Sequence, residues 1–442
     1  MSWKLRYLEA RDARQQAVNR LLGQTRPGDA TSLLLIGANI PGEDKHRPGV
    51  ARLLRNALNA LTSAIGFQML FTGRDLLGPF HIGYSHLPPV EAKHATVAIE
   101  AQDPAARLVD VDVYGSDGFQ LDRAALDLPP RACLLCSEPA RECILLQRHS
   151  TAELLERVDS LLRPLVPVPA SLVPETLAAN LSVGALRELD LTPKPGLVDL
   201  RDNGCHPDLC YADMRASVDL LPRYFDEILA CHRRQAPLED YVRAGIEAEN
   251  RMRQQIHSNA HKGFIFLAGV ALMAACRCNG QVARLSPAIA DIAGSFFVHF
   301  ASQDSHGACI RKHHGVGGLR GEAEQGLPSV FEHGWPKYRA ALDANWDAQD
   351  ASFYLMAALM QRVEDTTAIH RCGLEGLHRL RRDGAHLQRL LEEQQAPEPV
   401  LAALNQEYRR SGLTMGGVAD CMALTFALQE TASYASGFST GN

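Results

Sequence analysis

The stretch RPLVPVPASLVP at residues 163–174 carries four prolines in twelve positions. Proline fixes φ and has no amide hydrogen to donate, so such a run interrupts both helices and central strands. It therefore predicts a linker between two domains. The length of 442 residues agrees with this prediction, because single hydrophobic cores stop growing well below that size. We predict domains at 1–162 and 175–442, joined by the linker at 163–174.

Residues before the linker mix helical and strand patterns. Apolar residues have helical spacing in LEARDARQQAVNRLLG (8–23) and VARLLRNALNALTSAI (50–65), whereas TSLLLIGANI (31–40) is a compact apolar run typical of a buried strand. HATVAIEAQ (94–102) and ARLVDVDVYG (106–115) alternate as strands do. These patterns predict an α/β or α+β domain, and of these we expect an α+β domain in which helices pack on a mixed, nucleotidyltransferase-like sheet.

Residues after the linker show almost no strand pattern. Long segments with helical apolar spacing are separated by charged loops. We therefore predict an all-α domain. Its predicted helices are PETLAANLSVGALRELDL (174–191), EDYVRAGIEAENRMRQQI (239–256), FIFLAGVALMAAC (264–276), ASFYLMAALMQRV (351–363), LHRLRRDGAHLQRLLEEQ (377–394) and VADCMALTFALQETASYA (418–435).

The composition argues against several classes of protein. A formal net charge of −6 disfavours a general nucleic-acid or membrane-surface binder. The longest apolar run, 264–276, has 13 residues and suits a buried helix better than a membrane span. The charged start at residues 1–23 does not resemble an export signal, so we expect a cytoplasmic protein whose 11 cysteines are reduced thiols or metal ligands.

Glycine, cationic and acidic residues share the loops between the predicted C-terminal helices. Glycine lets backbone amides approach a phosphate, lysine and arginine supply positive charge, and acids hold Mg²⁺ or accept protons. Each loop taken alone is also explained by turns, caps and solvated charges. Together they predict one shared pocket for a polyanion. The loops are TPKPGLVDLRDNGCHPD (192–208), HSNAHKG (257–263), HHGVGGLRGEAEQGLP (313–328), EDTTAIHRCG (364–373) and TMGGVADCMA (414–423).

Asp110 and Asp112 lie two residues apart in a predicted strand, so both side chains point to the same face. Two adjacent carboxylates repel each other unless a cation lies between them, and Mg²⁺ prefers oxygen ligands. The pair therefore predicts a Mg²⁺ site with a catalytic role in nucleotidyl transfer. The alternative is an exposed strand face with two solvated acids.

Three cysteines and a histidine follow this strand with the spacing C-x2-C-x6-C-x5-H, at Cys133, Cys136, Cys143 and His149. Three thiolates and an imidazole can close a tetrahedral structural zinc site, although the spacing matches no standard zinc finger. The alternative is three reduced, partly buried cysteines without a metal.

The motifs TPKPGLVD with NGCHPD, NAHKG, GLRGEAEQGLP, EDTT with RCG, and GGVAD follow one another along the chain. In this order they resemble the motifs of the triphosphoribosyl-dephospho-CoA synthase family over about residues 175–437. The resemblance implies that the 2′-hydroxyl of 3′-dephospho-CoA attacks C1′ of the ribose of ATP. Adenine leaves, and the triphosphate stays on the sugar. Such a glycosyl transfer has an oxocarbenium-like transition state and needs a proton acceptor and support for the leaving base.

The same resemblance suggests roles for residues of these loops. Lys194 is expected to contact phosphate, and His206 to donate a proton or contact phosphate. Four acids are expected to bind metal or act as the base, and the pattern leaves open which does which: Asp199, Asp208, Glu249 and Glu322. Glu322 is also an expected substrate contact, and the others are Asn203, Asn259, His261, Lys262, Arg320, Asp365, Arg371 and Asp420.

The motifs TSLLLIGANIPGEDK, ARLVDVDV and RACLLCSEPARECILLQRH lie in the N-terminal part. They resemble the apo-citrate lyase phosphoribosyl-dephospho-CoA transferase family, also called holo-citrate-lyase synthases, over about residues 8–158. That family transfers the group to a serine of the acyl carrier subunit and displaces pyrophosphate. The resemblance implies Mg²⁺ binding at Asp110 and Asp112, and phosphate contacts at Lys45 and Arg107.

The product of the C-terminal reaction is the substrate of the N-terminal one, so a bifunctional transferase is predicted. Its expected partners are ATP, 3′-dephospho-CoA and the acyl carrier (gamma) subunit of citrate lyase, with Mg²⁺ and a structural Zn²⁺ as cofactors. No nucleic-acid or membrane partner is expected. Three alternatives stay open: a malonate decarboxylase carrier as acceptor, an N-terminal zinc-bearing docking module without chemistry, and a C-terminal hydrolase of nucleotide glycosides in which water replaces dephospho-CoA.

Overall fold

The computed structural model describes residues 3–24, 32–166, 169–258, 260–300 and 315–437. The chain divides into two compact units. The N-terminal unit comprises 1–167 with the short segments 343–345 and 392–395, and the C-terminal unit comprises the remaining residues.

A five-stranded sheet forms the centre of the N-terminal unit. Its strands are β1 (Ser32–Ala38), β2 (Gln68–Asp75), β3 (Gly78–Ser85), β4 (Val109–Gly115) and β5 (Gln120–Leu121), in the order β2-β3-β1-β4-β5. Every neighbouring pair is antiparallel. The prediction of a mixed sheet is therefore wrong. The physical reason is that β3 and β4, which run in the same direction, are separated by β1, so no helical crossover places parallel strands side by side.

Helices cover both faces of this sheet, which confirms the predicted α+β class. The helices of this unit are α1 (Trp3–Gln24), α2 (Val50–Ile65), α3 (Pro89–Glu100), α4 (Ala140–Leu145) and α5 (Thr151–Leu162). On one face, residues of α2, α3 and α5 pack with Leu34, Ile36 and Val111 of the strands. On the other face, α1 packs against Leu33 and Tyr114. Alternate side chains of each central strand thus enter two different cores.

Two parts of this unit differ from the sequence patterns. Residues 94–102 are predicted to form a strand, but most of them belong to α3, where Ala92, Thr96 and Ile99 are buried at helical spacing. A short alternating run is compatible with the period of a strand and with that of a helix. The buried residues show that the helical period applies here. The hairpin of β2 and β3 is missed because the first five residues of β2 are all exposed and show no alternation.

The proline-rich segment 163–174 is attached to folded structure at both ends. Arg163–Leu165 form a 3-10 turn, and Leu165 packs against the core of the N-terminal unit. Near the other end, Leu172 is fully buried and its amide donates a hydrogen bond to the Gly280 carbonyl at 2.8 Å. The segment therefore contains short anchored pieces instead of one extended linker.

The C-terminal unit is helical throughout its described part, apart from an isolated bridge between Ser171 and Gln281. The predicted all-α class is confirmed. None of the described helices combines the length and apolar character that a membrane crossing requires. The helices are α6 (Pro174–Asp190), α7 (Tyr211–Val218), α8 (Leu221–Arg233), α9 (Leu238–Ile256), α10 (Lys262–Arg277), α11 (Val282–Phe300), α12 (Gly318–Glu324), α13 (Trp335–Asp343), α14 (Ala348–Arg362), α15 (Thr366–Glu392), α16 (Glu398–Ser411) and α17 (Gly416–Gly437).

Helices α6 and α17 lie against each other at very close range. A Cβ atom at Gly184 would lie 2.2 Å from the carbonyl oxygen of Ala423. Across the same interface, Asn180 Nδ2 donates a hydrogen bond to Thr431 Oγ1 at 3.1 Å. The loop at 192–208 follows α6, and the GGVAD motif lies at the start of α17. The packing of these two helices therefore holds both motifs in place.

We expect Gly184→Ala to lower the free energy of unfolding by about 1–3 kcal/mol, the usual range for inserting a methyl group into a packed interior. Denaturant unfolding measures this change. Gly294→Ala is the matched control, because Gly294 also lies in a helix but a Cβ atom there meets nothing within 4 Å. That control should be neutral or slightly stabilising. Equal stability of the two variants would contradict the close packing of α6 and α17.

Candidate active sites

The two acids of β4 lie on the sheet face that α1 covers. Val109, Val111 and Val113 of this strand point into the opposite core. Strand alternation therefore places Asp110 and Asp112 together on the α1 face, and both are partly exposed there. The structure thus brings the predicted carboxylate pair together on one surface.

Two side chains of α3 close the free edge of β4 beside these acids. β5 pairs only with Val113 and Tyr114, so within the described chain no strand covers Val111 on that side. Lys93 Nζ donates to the Val111 carbonyl at 2.8 Å, and the Val111 amide donates to Glu100 Oε1 at 3.2 Å. Both side chains are buried. A lysine and a glutamate therefore take the place of a neighbouring strand at this position.

Arg131 links this edge to the aspartate pair. Its Nη2 lies 2.5 Å from Glu100 Oε1 and 3.1 Å from Asp110 Oδ1. Gln120 Nε2 donates to Asp112 Oδ1 at 2.6 Å. No sequence motif indicates Arg131 or the α3 residues, because each of their contacts joins positions that are far apart in the chain or lie in different elements.

Burial raises the pKa of Asp112 to about 6, and the negative charge of Asp110 adds to the effect, while Lys93 and Arg131 oppose it. A carboxylate that is difficult to ionise gains from a bound cation, so the pair fits a hard divalent ion such as Mg²⁺.

The two predicted phosphate contacts of this unit are engaged within the protein. Lys45 is buried, its ammonium group donates to the Ile40 carbonyl, and burial lowers its pKa to about 8. Arg107 donates to the carbonyl oxygens of Ala132 and Cys133, both at 2.9 Å. Arg107 therefore stabilises the cysteine segment. Phosphate contact by Lys45 or Arg107 stays a prediction.

The cysteine segment folds so that its four predicted ligands converge. The liganding atoms of Cys133, Cys136, Cys143 and His149 all lie within 4.8 Å of one another. Among the described residues, this is the one group of three or more histidine, cysteine or acidic side chains arranged to hold a metal ion. All three cysteines are free of disulfide bonds.

The loop at 192–208 is held largely by its own polar groups. Asp199 is 2% exposed, and its carboxylate accepts three hydrogen bonds from backbone amides of the loop at 2.7–3.1 Å. Gly196 has a φ of 72°, and a Cβ atom there would lie 2.2 Å from the Leu413 carbonyl oxygen. Asp199 therefore organises the loop, and these contacts give no support to its predicted role as metal ligand or base.

Lys194 forms a buried ion pair that no sequence pattern predicts. Its Nζ lies 2.7 Å from Glu188 Oε1 and 2.5 Å from the Glu188 carbonyl oxygen, and the two side chains are 1% and 6% exposed. Contact with a phosphate would require this enclosed pair to open, so that role of Lys194 stays a prediction. In the sequence, Glu188 resembles any solvated charge near the end of a helix.

Two further acids of the predicted set are buried and hydrogen-bonded. Asp365 is 1% exposed and accepts hydrogen bonds from backbone amides of both α15 and α17 at 2.9–3.0 Å. Glu322 accepts hydrogen bonds from the amide and hydroxyl of Ser329 at 3.2 and 2.5 Å. Burial raises the pKa of both carboxyl groups.

Asp420 is strongly perturbed by its surroundings. Burial, followed by the charges of Asp365 and Glu188, raises the pKa of Asp420 well above its ordinary value. A Cβ atom on Gly263 would lie 1.9 Å from Asp420 Oδ2, so the glycine of the NAHKG motif lets this carboxyl group reach the start of α10. Asp365, Asp420 and Glu188 thus form the buried acid group of the C-terminal unit.

His261 lies immediately before α10 and is 5% exposed. Its Nδ1 lies 2.6 Å from Ser217 Oγ, whereas Nε2 is buried and has no hydrogen-bond partner among the described residues. Burial lowers the pKa of His261 to about 4, and the positive charge of Lys194 contributes. The imidazole is therefore neutral at neutral pH, with one ring nitrogen available to a ligand.

Other predicted residues lie nearer the surface of the C-terminal unit. His206 Nε2 lies 3.2 Å from Thr414 Oγ1. Burial, followed by the charge of Arg371, lowers the pKa of His206, while Asp208 opposes the shift. Asn203 and Asp208 are exposed. Asn203, His206 and Asp208 belong to the loop at 192–208, and no described hydrogen bond joins them to the buried acid group.

The remaining predicted residues are partly or largely exposed charged side chains, together with Asn259. Lys262 is 58% exposed, and its Nζ lies 3.9 Å from Glu249 Oε2. Arg320 pairs with Glu324 at 3.0 Å within α12. Asn259 lies outside the described residues. Their predicted substrate contacts stay predictions.

Each unit therefore carries a charged site of its own. The N-terminal unit presents a carboxylate pair on a strand, and the C-terminal unit encloses three acids, a lysine and a neutral histidine. Such groups suit electrostatic and acid–base catalysis of group transfer. These features fit an enzyme that catalyses group transfer, with one charged site in each unit.

Comparison with known proteins agrees with this class and gives the families. Residues 174–437 match the family described as ATP:dephospho-CoA triphosphoribosyl transferase, and residues 5–164 match the family described as apo-citrate lyase phosphoribosyl-dephospho-CoA transferase. The chain belongs to the ATP:dephospho-CoA triphosphoribosyl transferase family, fused to an N-terminal domain of the second family. The prediction of a bifunctional transferase is confirmed.

Relatives include both fused and single-domain proteins. Protein CitXG of Haemophilus influenzae is 27% identical over 95% of this chain and 94% of its own length. Protein CitXG of Leuconostoc mesenteroides subsp. cremoris is 27% identical over 96% of each chain. A protein of Stutzerimonas stutzeri, called probable 2-(5''-triphosphoribosyl)-3'-dephosphocoenzyme-A synthase, is 34% identical over 58% of this chain and 92% of its own length.

Proposed function

We propose that the C-terminal unit transfers the triphosphoribosyl group of ATP to 3′-dephospho-CoA. The 2′-hydroxyl of dephospho-CoA attacks C1′ of the ribose, and the bond from C1′ to adenine breaks. The hydroxyl proton is taken up by the protein, and adenine leaves with a proton. The family of residues 174–437 and the name of the Stutzerimonas stutzeri relative support this reaction.

The buried acid group is the observation that favours this chemistry. Positive charge develops on the ribose in an oxocarbenium-like transition state, and a neighbouring positive charge favours the ionised form of these buried carboxyl groups. Asp420 is our candidate for proton transfer, because its pKa is raised well above the ordinary value by burial, Asp365 and Glu188. The free Nε2 of His261 is our candidate for a hydrogen bond to the substrate.

Exposed cations are proposed to bind the triphosphate. Lys262 is the first residue of α10, where the backbone amides of a helix N-terminus also favour an anion. Arg320 and Arg371 are the other candidates. Mg²⁺ bound with the triphosphate would offset part of its negative charge. Lys194 is a weaker candidate, since its ammonium group is enclosed with Glu188.

For the N-terminal unit, we propose transfer of the phosphoribosyl-dephospho-CoA group to a serine of an acyl carrier. The serine hydroxyl attacks the phosphorus nearest the ribose, and pyrophosphate leaves. The serine proton passes to solvent, and the raised pKa of Asp112, about 6, reflects a carboxylate that gains from a bound cation. Asp110 and Asp112 would hold Mg²⁺, which supplies charge neutralisation at the transferring phosphate.

The proposed acceptor is the acyl carrier subunit of citrate lyase. The description of the family matched by residues 5–164, which names apo-citrate lyase, supports this acceptor over the carrier of malonate decarboxylase. Both purified apo-carriers can be offered at equal concentration with the triphosphoribosyl compound. Faster modification of the malonate decarboxylase carrier would contradict the proposal.

Incubation of the protein with ATP and 3′-dephospho-CoA should release one adenine for each triphosphoribosyl adduct formed. Liquid chromatography with mass spectrometry measures both products. ATP without dephospho-CoA should release little adenine, because the attacking hydroxyl is then missing. Adenine accompanied by free triphosphoribose would instead identify a nucleotide glycoside hydrolase.

A further inference from the structure

We propose that Cys133, Cys136, Cys143 and His149 bind one zinc ion in a closed structural site. Cys136 Sγ lies 3.5 Å from Cys143 Sγ and 3.3 Å from His149 Nε2. Zinc–sulfur bonds of about 2.3 Å in a tetrahedron place two sulfurs about 3.8 Å apart. The four side chains therefore need only small adjustments to surround one ion.

The backbone around the first two cysteines is arranged to support a metal. The Cys133 amide donates to the Glu138 carbonyl at 2.7 Å, which closes a tight turn between them. The Leu135 amide points to Cys133 Sγ at 3.5 Å. Hydrogen bonds from amides to sulfur favour the thiolate, which is the form that binds zinc.

The surrounding segment has no hydrophobic core of its own. From Leu121 to Arg157, a stretch that is fully described, the only buried residues are Cys133 and Cys143. Leu135, Ile144, Leu145 and Leu146 are exposed instead. A segment of this kind needs another source of stability, and in small folds a bound metal commonly provides it.

The donor set selects the metal and the type of site. Thiolates and imidazole suit zinc, whereas Mg²⁺ requires oxygen ligands. Four protein ligands leave no position for a substrate, so the site is structural. The separation of 3.5 Å between the sulfurs of Cys136 and Cys143 is well beyond a disulfide bond of about 2.05 Å.

Two arginines connect the zinc-binding segment with the region around the carboxylate pair. Arg107 holds the carbonyls of Ala132 and Cys133, and Arg131, two residues before Cys133, contacts Asp110 at 3.1 Å. Ordering of the segment by zinc therefore also holds Arg131 beside Asp110. This consequence rests on the function proposed above for the N-terminal unit.

Metal analysis of full-length protein, prepared with reductant and without chelator, tests the site. We expect about one zinc per chain. Cys136→Ser should lose most of it, and Cys136 is partly exposed, so the serine is expected to be tolerated. Cys210→Ser is the matched control, because Cys210 is a partly exposed free cysteine of the C-terminal unit, and it should keep the zinc. Replacement of zinc by cobalt should produce thiolate-to-cobalt charge-transfer absorption that Cys136→Ser weakens.

Absence of zinc from the reduced protein would contradict the site. An unchanged zinc content in Cys136→Ser would contradict it as well. Removal of zinc from the unsubstituted protein should lower its thermal midpoint, and zinc addition should restore it. None of these measurements needs a substrate, so their failure is separate from failure of the proposed function. In zinc-depleted protein we also expect carrier modification to fall while adenine release continues. Unchanged carrier modification would overturn the link to Asp110.

Discussion

Lys194→Met is expected to lower the free energy of unfolding of the protein by about 3–5 kcal/mol, the range for breaking one side of a buried ion pair. Methionine keeps the length of the side chain but removes its charge. Glu188, 6% exposed, would then be buried without its cation. Glu188 also adds to the negative charge around Asp420, so the loss of Lys194 removes the cation that pairs with one member of the buried acid group.

Denaturant unfolding of a set of variants measures this effect. Lys194→Met with Glu188→Leu should recover much of the stability, because replacement of both partners of a buried pair by apolar residues is often neutral. Arg215→Ala is the control for an exposed pair, since the side chains of Arg215 and Asp219 are 48% and 63% exposed. Its effect should be under about 1 kcal/mol. An equally small effect of Lys194→Met would contradict the buried pair.

The double variant also separates two roles of Lys194. If Lys194 only balances Glu188, the folded double variant should release adenine as fast as folded Glu188→Leu, which already lacks one member of the buried acid group. If Lys194 also contacts phosphate, the rate or binding should fall about 10- to 150-fold, which corresponds to the roughly 1.5–3 kcal/mol of a charge-assisted hydrogen bond. The enclosed geometry leads us to expect the first result.

Asp112→Asn is expected to have opposite effects on stability and on carrier modification. Modification should fall by about 100-fold or more, as when a group that stabilises transition-state charge is removed. The N-terminal unit should meanwhile become more stable at pH 7.5, by about 1–3 kcal/mol. Asparagine has the same size and can still accept the hydrogen bond from Gln120 Nε2.

The sign of the stability effect follows from the raised pKa of Asp112, about 6 against an ordinary 3.8. The folded state holds the proton more tightly than the unfolded state, so stability is full below about pH 4 and is lost as the pH rises to about 6. Asparagine carries no charge and escapes this loss. Thermal midpoints of the variant and the unsubstituted protein should therefore agree near pH 4 and differ at pH 7.5.

Asp103→Asn is the control for this variant, because Asp103 is exposed and accepts hydrogen bonds only from nearby backbone amides. It should change neither carrier modification nor the pH dependence of stability. Asp110→Asn should also lose carrier modification. Adenine release should persist in both Asp110→Asn and Asp112→Asn. Full carrier modification by Asp112→Asn would remove this residue from the proposed site.

Strand geometry explains why part of the N-terminal site was predictable. A strand has a fixed period of two, so the sequence alone places Asp110 and Asp112 on one face. The sequence does not predict the cations around these two acids. Lys93 lies in a segment adjoining a run predicted to be a strand, and Arg131 comes from the cysteine segment, so only the three-dimensional fold brings either one to β4.

Loop motifs in the C-terminal unit reveal where polar residues collect but not what each one does. Asp199 turns inward because buried backbone amides of the loop need acceptors. Lys194 finds Glu188 because an unpaired buried charge is unfavourable. By contrast, the requirement for Gly263 comes from the approach of Asp420, a contact between two motifs that lie far apart in the chain.

A single chain that makes the prosthetic group and attaches it should convert the apo acyl carrier of citrate lyase without any other enzyme. The measurement is the intact mass of the carrier after incubation with the protein, ATP, 3′-dephospho-CoA and Mg²⁺. We expect a mass increase of one phosphoribosyl-dephospho-CoA group per carrier, with adenine and pyrophosphate released in equal amounts. A carrier that stays unmodified while the folded protein releases adenine would contradict a catalytic N-terminal unit and support a docking module in its place.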